Sequence, residues 1–226
     1  MRNEPSLEAA HQPTQSAFKG LGRPVLVSAV FFMAVTGVAY PLATTGVANL
    51  VFPDQAKGSL IVRDGKTIGS RQIGQHFTSA GYFHPRPSMT SGPDPKDPSK
   101  TVDQPYNAGA SAASNQAAIS KKLLTAVAER VAAYRQENGL GANAPVPVDA
   151  VTASASGLDP HISIANARIQ AARVAKARGV PVDAVLKLVG QSTSRPQFGL
   201  LGDPRVNVLE LNLALDAAAP VRPAVQ

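Results

Sequence analysis

With 226 residues, 44% of them hydrophobic and 16% charged, the chain can form one globular domain with appendages and is too apolar for a disordered one. The absence of cysteine excludes disulfides, thiolate metal sites and a cysteine nucleophile, and without tryptophan the core must rest on Ala, Val, Leu and Ile. A net charge of +7 suits anionic partners such as lipid headgroups, but the basic residues are too scattered for a nucleic-acid stripe, so no nucleic-acid partner is expected.

From Pro24 to Pro53 no residue is charged. At about 1.5 Å per residue, some 20 helical residues cross a bilayer core of about 30 Å, so this run spans with room for tilt. Gly46-Val47-Ala48 would suit signal-peptide cleavage, but the apolar run far exceeds the 7 to 15 or so residues of a signal core, which favours an uncleaved anchor. The expected organisation is a short tail at 1–23, a transmembrane helix at 24–52 and a single domain at 53–226. Pro41 is expected to kink the helix. Ala39 and Ala43 form one small pair that reads as ordinary lipid-facing composition. Lys19 and Arg23 precede the helix and Lys57, Arg63, Lys66 and Arg71 follow it, so a local charge count places the C-terminal side in the cytoplasm.

Beyond the anchor, Leu60-Ile61-Val62 and the run around Ile68 flank Asp64-Gly65, a two-residue turn signal that predicts a hairpin over 58–73. Gly65-Lys66-Thr67 does not extend to a phosphate-binding loop, because position 60 is Leu60 and not glycine. Ser91 to Pro105 carries four prolines and reads as an exposed loop. Ile119, Leu123, Val127, Val131 and Tyr134 form one apolar stripe and predict a helix over 115–137, followed by a linker over 139–148. Ser163 is the expected N-cap of a helix running to Arg178, with Ile162, Ala165, Ile169 and Ala172 on its apolar face and Gly179 ending it. Arg168, Arg173 and Lys176 lie together on that helix and read as a solvated face. Val182 to Val189 predicts a short helix. At the end, Leu209, Leu211, Leu213 and Leu215 alternate as in a strand, whereas Asn207 and Glu210 resemble a capping box; the alternation favours a strand over 206–215. Strands near both ends with helices between them suggest an α+β domain.

No His-Glu-x-x-His, Gly-x-Ser-x-Gly or Gly-x-Gly-x-x-Gly occurs, and His11, His76, His84 and His161 lack metal-ligand spacing. The richest polar stretch is Ser154 to Ser163, which holds the residue types of a Ser/His/Asp triad. Its closeness in sequence, Pro160 and the adjoining helix start make turn and cap roles the natural ones.

This stretch, within Val151 to Arg178, also resembles the KdpC family, one of the components of the bacterial Kdp high-affinity potassium-transporting P-type ATPase. So do Tyr82-Phe83-His84-Pro85-Arg86-Pro87-Ser88 and the block from Gly202 to Asp216, in the family's order and behind an anchor in the family's place. Candidates for turn, capping or partner contact are therefore Ser154, Ser156, Gly157, Asp159, Pro160, His161 and Ser163, with Arg86 and Asn207 from the other two blocks; no catalytic or metal-binding residue is expected. Tyr106 to Gln116 departs from the family pattern, with alanines for glycines and no proline, which puts any glycine-dependent loop geometry in doubt.

The resemblance implies a single-pass subunit of the inner membrane with a cytoplasmic tail and an extracytoplasmic domain, against the charge count. It also implies partnership with a potassium-conducting subunit and an ATP-hydrolysing subunit. The Asp-Lys-Thr-Gly signature of the phosphorylated subunit is absent, so the chain is expected to be a non-catalytic accessory. Its implied roles are assembly and stability, and catalytic chaperoning that raises ATP affinity through a ternary complex with nucleotide and the hydrolysing subunit. The chain has no phosphate-binding motif of its own. One alternative is a gate or filter at the outer mouth of the potassium pathway, although 19 basic against 13 acidic residues after Phe52 would repel cations unless the acids faced the pore. Another is a membrane-anchored enzyme unrelated to transport.

Overall fold

A computed structural model describes residues 20–220; most of the expected tail, with His11 and Lys19, lies outside the described residues. The chain separates into two compact units, the first ending at Lys57 and the second beginning at Gly58.

In the first unit, α1 (Gly22–Ala34), a π-helical turn (Val35–Ala39) and α2 (Tyr40–Val51) form one continuous helix of 30 residues, long and apolar enough to cross a membrane and with no buried residue. Next to Pro41, where a kink is expected, the helix widens into this π-helical turn. Proline carries no N–H for the preceding turn, and there the Tyr40 N–H reaches back to the Val35 carbonyl in π-helical register. Three hydroxyls along the helix bond locally: those of Ser28, Thr36 and Thr44 donate to the Pro24, Phe32 and Tyr40 carbonyls at 2.7, 2.6 and 2.9 Å. A short α3 (Pro53–Ala56) follows.

The second unit opens with the predicted hairpin, β1 (Leu60–Arg63) and β2 (Lys66–Ser70), in antiparallel register with Arg63 opposite Lys66. Asp64 and Gly65 both take positive φ, 52° and 73°, as a type I′ turn requires. Inside the expected loop at 91–105 lies a second, smaller hairpin of β3 (Ser91–Pro93) and β4 (Thr101–Asp103). The helix expected from residue 115 starts later, as α4 (Lys121–Glu137). Asn115 has φ 49°, outside helical space, and Ile119 is 88% exposed, so the apolar stripe loses its first member while Tyr134 is buried. A short α5 (Val148–Val151) closes the linker.

The core is built by β5 (His161–Ser163), α6 (Ile164–Arg178), α7 (Val182–Gln191), β6 (Thr193–Ser194), β7 (Arg205–Asn207) and α8 (Val208–Ala218). The three strands form an antiparallel sheet in the order β5-β7-β6, with Ile162 opposite Val206, and both side chains enter the core beside Val174, Val185, Leu211 and Leu215. The result is a mixed helix and strand domain, as expected.

Two expectations fail in this region. The face expected of α6 is not the buried one: Ala165 and Ala172 are exposed, and the core side consists of Asn166, Ala167, Gln170, Ala171, Val174, Ala175 and Arg178. The segment after Asn207 is a helix and not a strand. The Asn207 side chain accepts from the Glu210 N–H at 3.1 Å, and of the buried residues Val208, Leu209, Leu211, Asn212 and Leu215, all but Leu209 share one face at helical spacing. The leucine alternation misled because Asn212, a polar residue, occupies a core position.

The buried amides grip a segment that belongs to no strand. Asn212 Oδ1 accepts from the Phe83 N–H at 2.8 Å and Nδ2 donates to the Phe83 carbonyl at 3.0 Å, while Gln170 does the same to His84 at 2.7 and 3.0 Å. Phe83, fully buried, is thereby held between α6 and α8 by two side chains that act as a neighbouring strand would. Replacing Asn212 by Ala strips both Phe83 backbone groups of their partners and should destabilise the protein by about 3 kcal/mol in urea or thermal unfolding, against less than about 0.5 kcal/mol for exposed Lys122→Ala.

Candidate functional site

The block from Ser154 to Ser163 is a chain of local hydrogen bonds. Ser154 Oγ accepts from the Gly157 N–H at 2.9 Å, Ser156 Oγ from Leu158 N–H at 3.1 Å, and Asp159 Oδ1 from His161 N–H at 3.0 Å, three turns closed by short polar side chains as their residue types favour. Gly157 has φ 68°, and a Cβ there would lie 2.7 Å from the Ala112 carbonyl oxygen, so both conformation and space require glycine. The Pro160 carbonyl accepts from the Val208 N–H at 2.9 Å, linking the block to the start of α8.

Ser163 caps α6 as expected: its Oγ accepts from the Asn166 N–H at 3.1 Å. The same hydroxyl donates to Asp149 Oδ1 at 2.8 Å, and Asp149 Oδ2 receives the Ser163 N–H and Asn166 Nδ2 at 2.8 and 2.9 Å. From there the network continues through Asn166 Oδ1, which accepts from Tyr134 and Gln170 at 2.8 Å each. Gly179 ends the helix in the left-handed conformation.

The block packs on the segment from Arg86 to Thr90 and on the loop after Tyr106. Arg86 Nη1 is 2.9 Å from Asp159 Oδ2, Ser88 Oγ donates to the Gly157 carbonyl at 2.7 Å, and the Tyr106 hydroxyl donates to the Arg86 carbonyl at 2.9 Å. The loop of Tyr106 to Gln116 tolerates its alanines because positive φ falls on Tyr106 and Asn115 and on none of the alanines. Arg86 borders two clefts, one of about 600 Å³ shared with Ile73, Ser156 and His161, the other of about 290 Å³ shared with His84, Tyr134 and Glu137. Its Nε is buried without a hydrogen-bond partner among the described residues.

The charges follow from this packing. Burial works to raise the Asp159 pKa but is outweighed by hydrogen bonds from His161 and Arg86, so the carboxyl titrates below its usual range. The hydrogen bond from His84, with Nδ1 2.6 Å from Oε1, lowers the Glu137 carboxyl against a smaller opposing effect of burial. Burial, reinforced by the Asp159 charge, pushes the Tyr106 phenol up. Arg173, expected on a solvated face, is 8% exposed and donates to the Ala80 and Tyr82 carbonyls at 2.7 and 3.0 Å, whereas Arg168 and Lys176 are exposed.

The structure thus brings Ser154, Ser156, Asp159, Pro160, His161 and Arg86 around one cleft, buries Gly157 against Ala112 and Thr90, and places Ser163 and Asn207 at helix caps. Asn207 also donates through Nδ2 to the Arg71 carbonyl at 2.9 Å. Among the described residues no hydroxyl of the block bonds the His161 ring, whose Nδ1 lies 3.4 Å from Asp159 Oδ1. The triad residue types are present without the triad relay.

The model for the K+-transporting ATPase c chain, KdpC, matches residues 22–217. The chain belongs to the KdpC family. The potassium-transporting ATPase KdpC subunit of Rhodopseudomonas palustris strain CGA009 is 56% identical over 198 residues, 88% of this chain and 97% of the relative. The KdpC subunit of Bradyrhizobium diazoefficiens is 55% identical over 197 residues, covering 87% and 96%. That of Mycobacterium tuberculosis strain H37Ra is 52% identical over 193 residues, covering 85% and 96%. As a member of this family the chain is a subunit of a potassium-transporting ATPase complex. The turn and cap residues stand out in the sequence, whereas Asp149, Asn166, Gln170 and Asn212, which connect them, do not. The i,i+4 spacing of Asn166 and Gln170 within an Ala-rich helix was the available signal.

Three outcomes are expected. Ser163→Ala removes the cap and the hydroxyl's bond to Asp149 Oδ1 together, leaving the backbone N–H on Oδ2, and should lower stability by about 2 kcal/mol in thermal unfolding, at the upper end of cap losses, while His161→Ala leaves the potassium-stimulated ATPase activity of the assembled pump largely in place. The Asp159 carboxyl, lowered on folding, contributes stability fully above the ordinary Asp pKa of 3.8 and loses it as pH falls through its lower folded value. The stability gap between the protein and Asp159→Asn should therefore be constant near neutrality and narrow progressively below about pH 4 in pH-dependent thermal melts.

Proposed function

We propose that this chain is a non-catalytic, single-pass accessory subunit that secures assembly of the potassium pump. Its N-terminal tail lies in the cytoplasm and its domain from Pro53 lies outside the inner membrane, where it contacts the potassium-conducting and ATP-hydrolysing subunits. The observation that carries this reading is the use of the polar groups in the Ser154 to Ser163 block. The hydroxyls of Ser154, Ser156 and Ser163 and the Asp159 carboxylate are all engaged by turns, a helix cap or Arg86, so the block holds a surface in shape. Arg86, Ser156, Asp159 and His161 border the wider of the two clefts and are the proposed contact residues. Family membership supports the setting in a complex, and the 30-residue apolar helix supports the anchoring. The positive charge of the domain weighs against a cation-concentrating gate.

A C-terminal alkaline phosphatase fusion should be active and a C-terminal green fluorescent protein fusion exported by the general secretory route dark; the opposite pair would place the domain in the cytoplasm. Deleting the subunit should deplete the pump isolated from membranes, and the domain without residues 25–52 should rescue poorly, since anchoring raises its effective concentration beside its partners. A complex that assembles normally but has a raised KM for ATP would instead assign catalytic assistance through a ternary complex with nucleotide. Normal assembly, ATP affinity and potassium transport would sink both roles.

A further inference from the structure

We propose that the loop between β6 and β7 is a lipid-docking element that inserts its apolar tip into an anionic membrane surface. Phe198 and Leu200 at its tip are 85% and 87% exposed and Leu201 60%, in a domain that otherwise buries its large aromatic Phe83 completely. The tip is preformed. Gln197 and Leu201 exchange both backbone hydrogen bonds at 2.9 Å, and positive φ at Phe198 (55°) and Gly199 (75°) turns the chain between them. A non-glycine residue held at positive φ to display a phenyl ring in water is strained twice, by conformation and by hydration, unless something covers it.

The surroundings select what that is. Arg195, directly after β6, and Arg205, the first residue of β7, flank the tip, and Arg168 lines with Arg195 a groove of about 560 Å³ floored by Ile164, Leu186 and Val189. Among the described residues no side-chain hydrogen bond or ion pair engages any of these three arginines, and Asp203 is the only acid in the loop. An apolar wedge between unpaired cations matches a bilayer interface, where hydrocarbon receives the wedge and lipid phosphates the guanidinium groups. A specific protein interface needs about 800 Å² from each partner, more than three side chains on one narrow loop offer, whereas insertion into lipid needs no complementary socket. Only eight residues, 52–59, separate α2 from β1, so the chain's own anchor keeps the domain within reach of a bilayer surface. Lipid docking rests on that anchor and is independent of the assembly role.

The sequence contains no tryptophan, so Phe198→Trp places the protein's one tryptophan at the tip, where excitation on the red edge of the absorption band reports it apart from the four tyrosines. Reconstituted alone into vesicles containing phosphatidylglycerol, it should emit blue-shifted light that acyl-chain bromination quenches and aqueous iodide does not. In pure phosphatidylcholine the quenching by brominated chains should be weaker, and Arg195→Glu with Arg205→Glu should abolish the difference between the two lipids. Emission quenched by iodide and insensitive to brominated lipid in both vesicles would overturn the proposal. So would an unchanged lipid preference in the double glutamate variant. Protection from both quenchers only when the other pump subunits are co-reconstituted would overturn it in favour of a protein contact.

Discussion

The domain depends on one arrangement: two carboxamide side chains, Gln170 from α6 and Asn212 from α8, each hydrogen-bonded to both backbone groups of one residue in the pair Phe83-His84. Buried backbone N–H and C=O groups need partners, and here no strand is available to supply them. The amides fulfil that requirement from two different helices, and in doing so fix the separation of α6 and α8 and the depth of Phe83. Around this clamp the remaining polar groups of the interior pair in turn. Arg178, with its side chain wholly enclosed, donates to the Gly81 and Ala219 carbonyls and to Asp216 at 2.6, 2.7 and 2.9 Å, and lies 4.8 Å from the centre of the Tyr82 ring. A buried guanidinium with each nitrogen satisfied is tolerable; the same charge without those acceptors would not be.

The clamp also explains the candidate site. The chain leaving Phe83-His84 runs through Pro85 to Arg86 and Ser88, and those two side chains receive the Ser154 to Ser163 block. The block's far end is Ser163, whose cap on α6 connects through Asn166 to Gln170. The surface of Arg86, Asp159 and His161 is therefore the outer end of the hydrogen-bond path that closes the core. A change within the path reshapes the surface even where it touches nothing that binds there.

Local chemistry was legible in the sequence wherever one residue decides the conformation. Asp64-Gly65 marked the hairpin, Ser163 and Gly179 marked the ends of α6, and the uncharged run from Pro24 marked the membrane-length helix. Periodicity misled where the interior is polar. Asn166 and Gln170 face the core and Ala165 and Ala172 face water, so the apolar count selected the wrong side of α6. Asn212 likewise interrupted the helical pattern of α8 and left an apparent strand. Arg173 read as solvated because the two carbonyls that receive its Nη1, those of Ala80 and Tyr82, come from 91 and more residues away. Such partners belong to the tertiary structure, and no local window contains them. For the site, the turn and cap roles were readable from residue type, while the convergence of Arg86 on Asp159 was not, since 73 residues separate them.

The bond between Phe83 and Asn212 joins positions 129 residues apart. A nascent chain can make it only once α8 has been synthesised, and until then the Phe83 backbone lacks both of its Asn212 partners. The membrane-length helix, by contrast, is complete within its own residues and needs nothing downstream. Synthesis therefore completes the apolar helix first, and the domain can close its core only after α8 has been made. The two units thus mature in a fixed order, the helix from local bonds alone and the domain from a contact that spans most of its length.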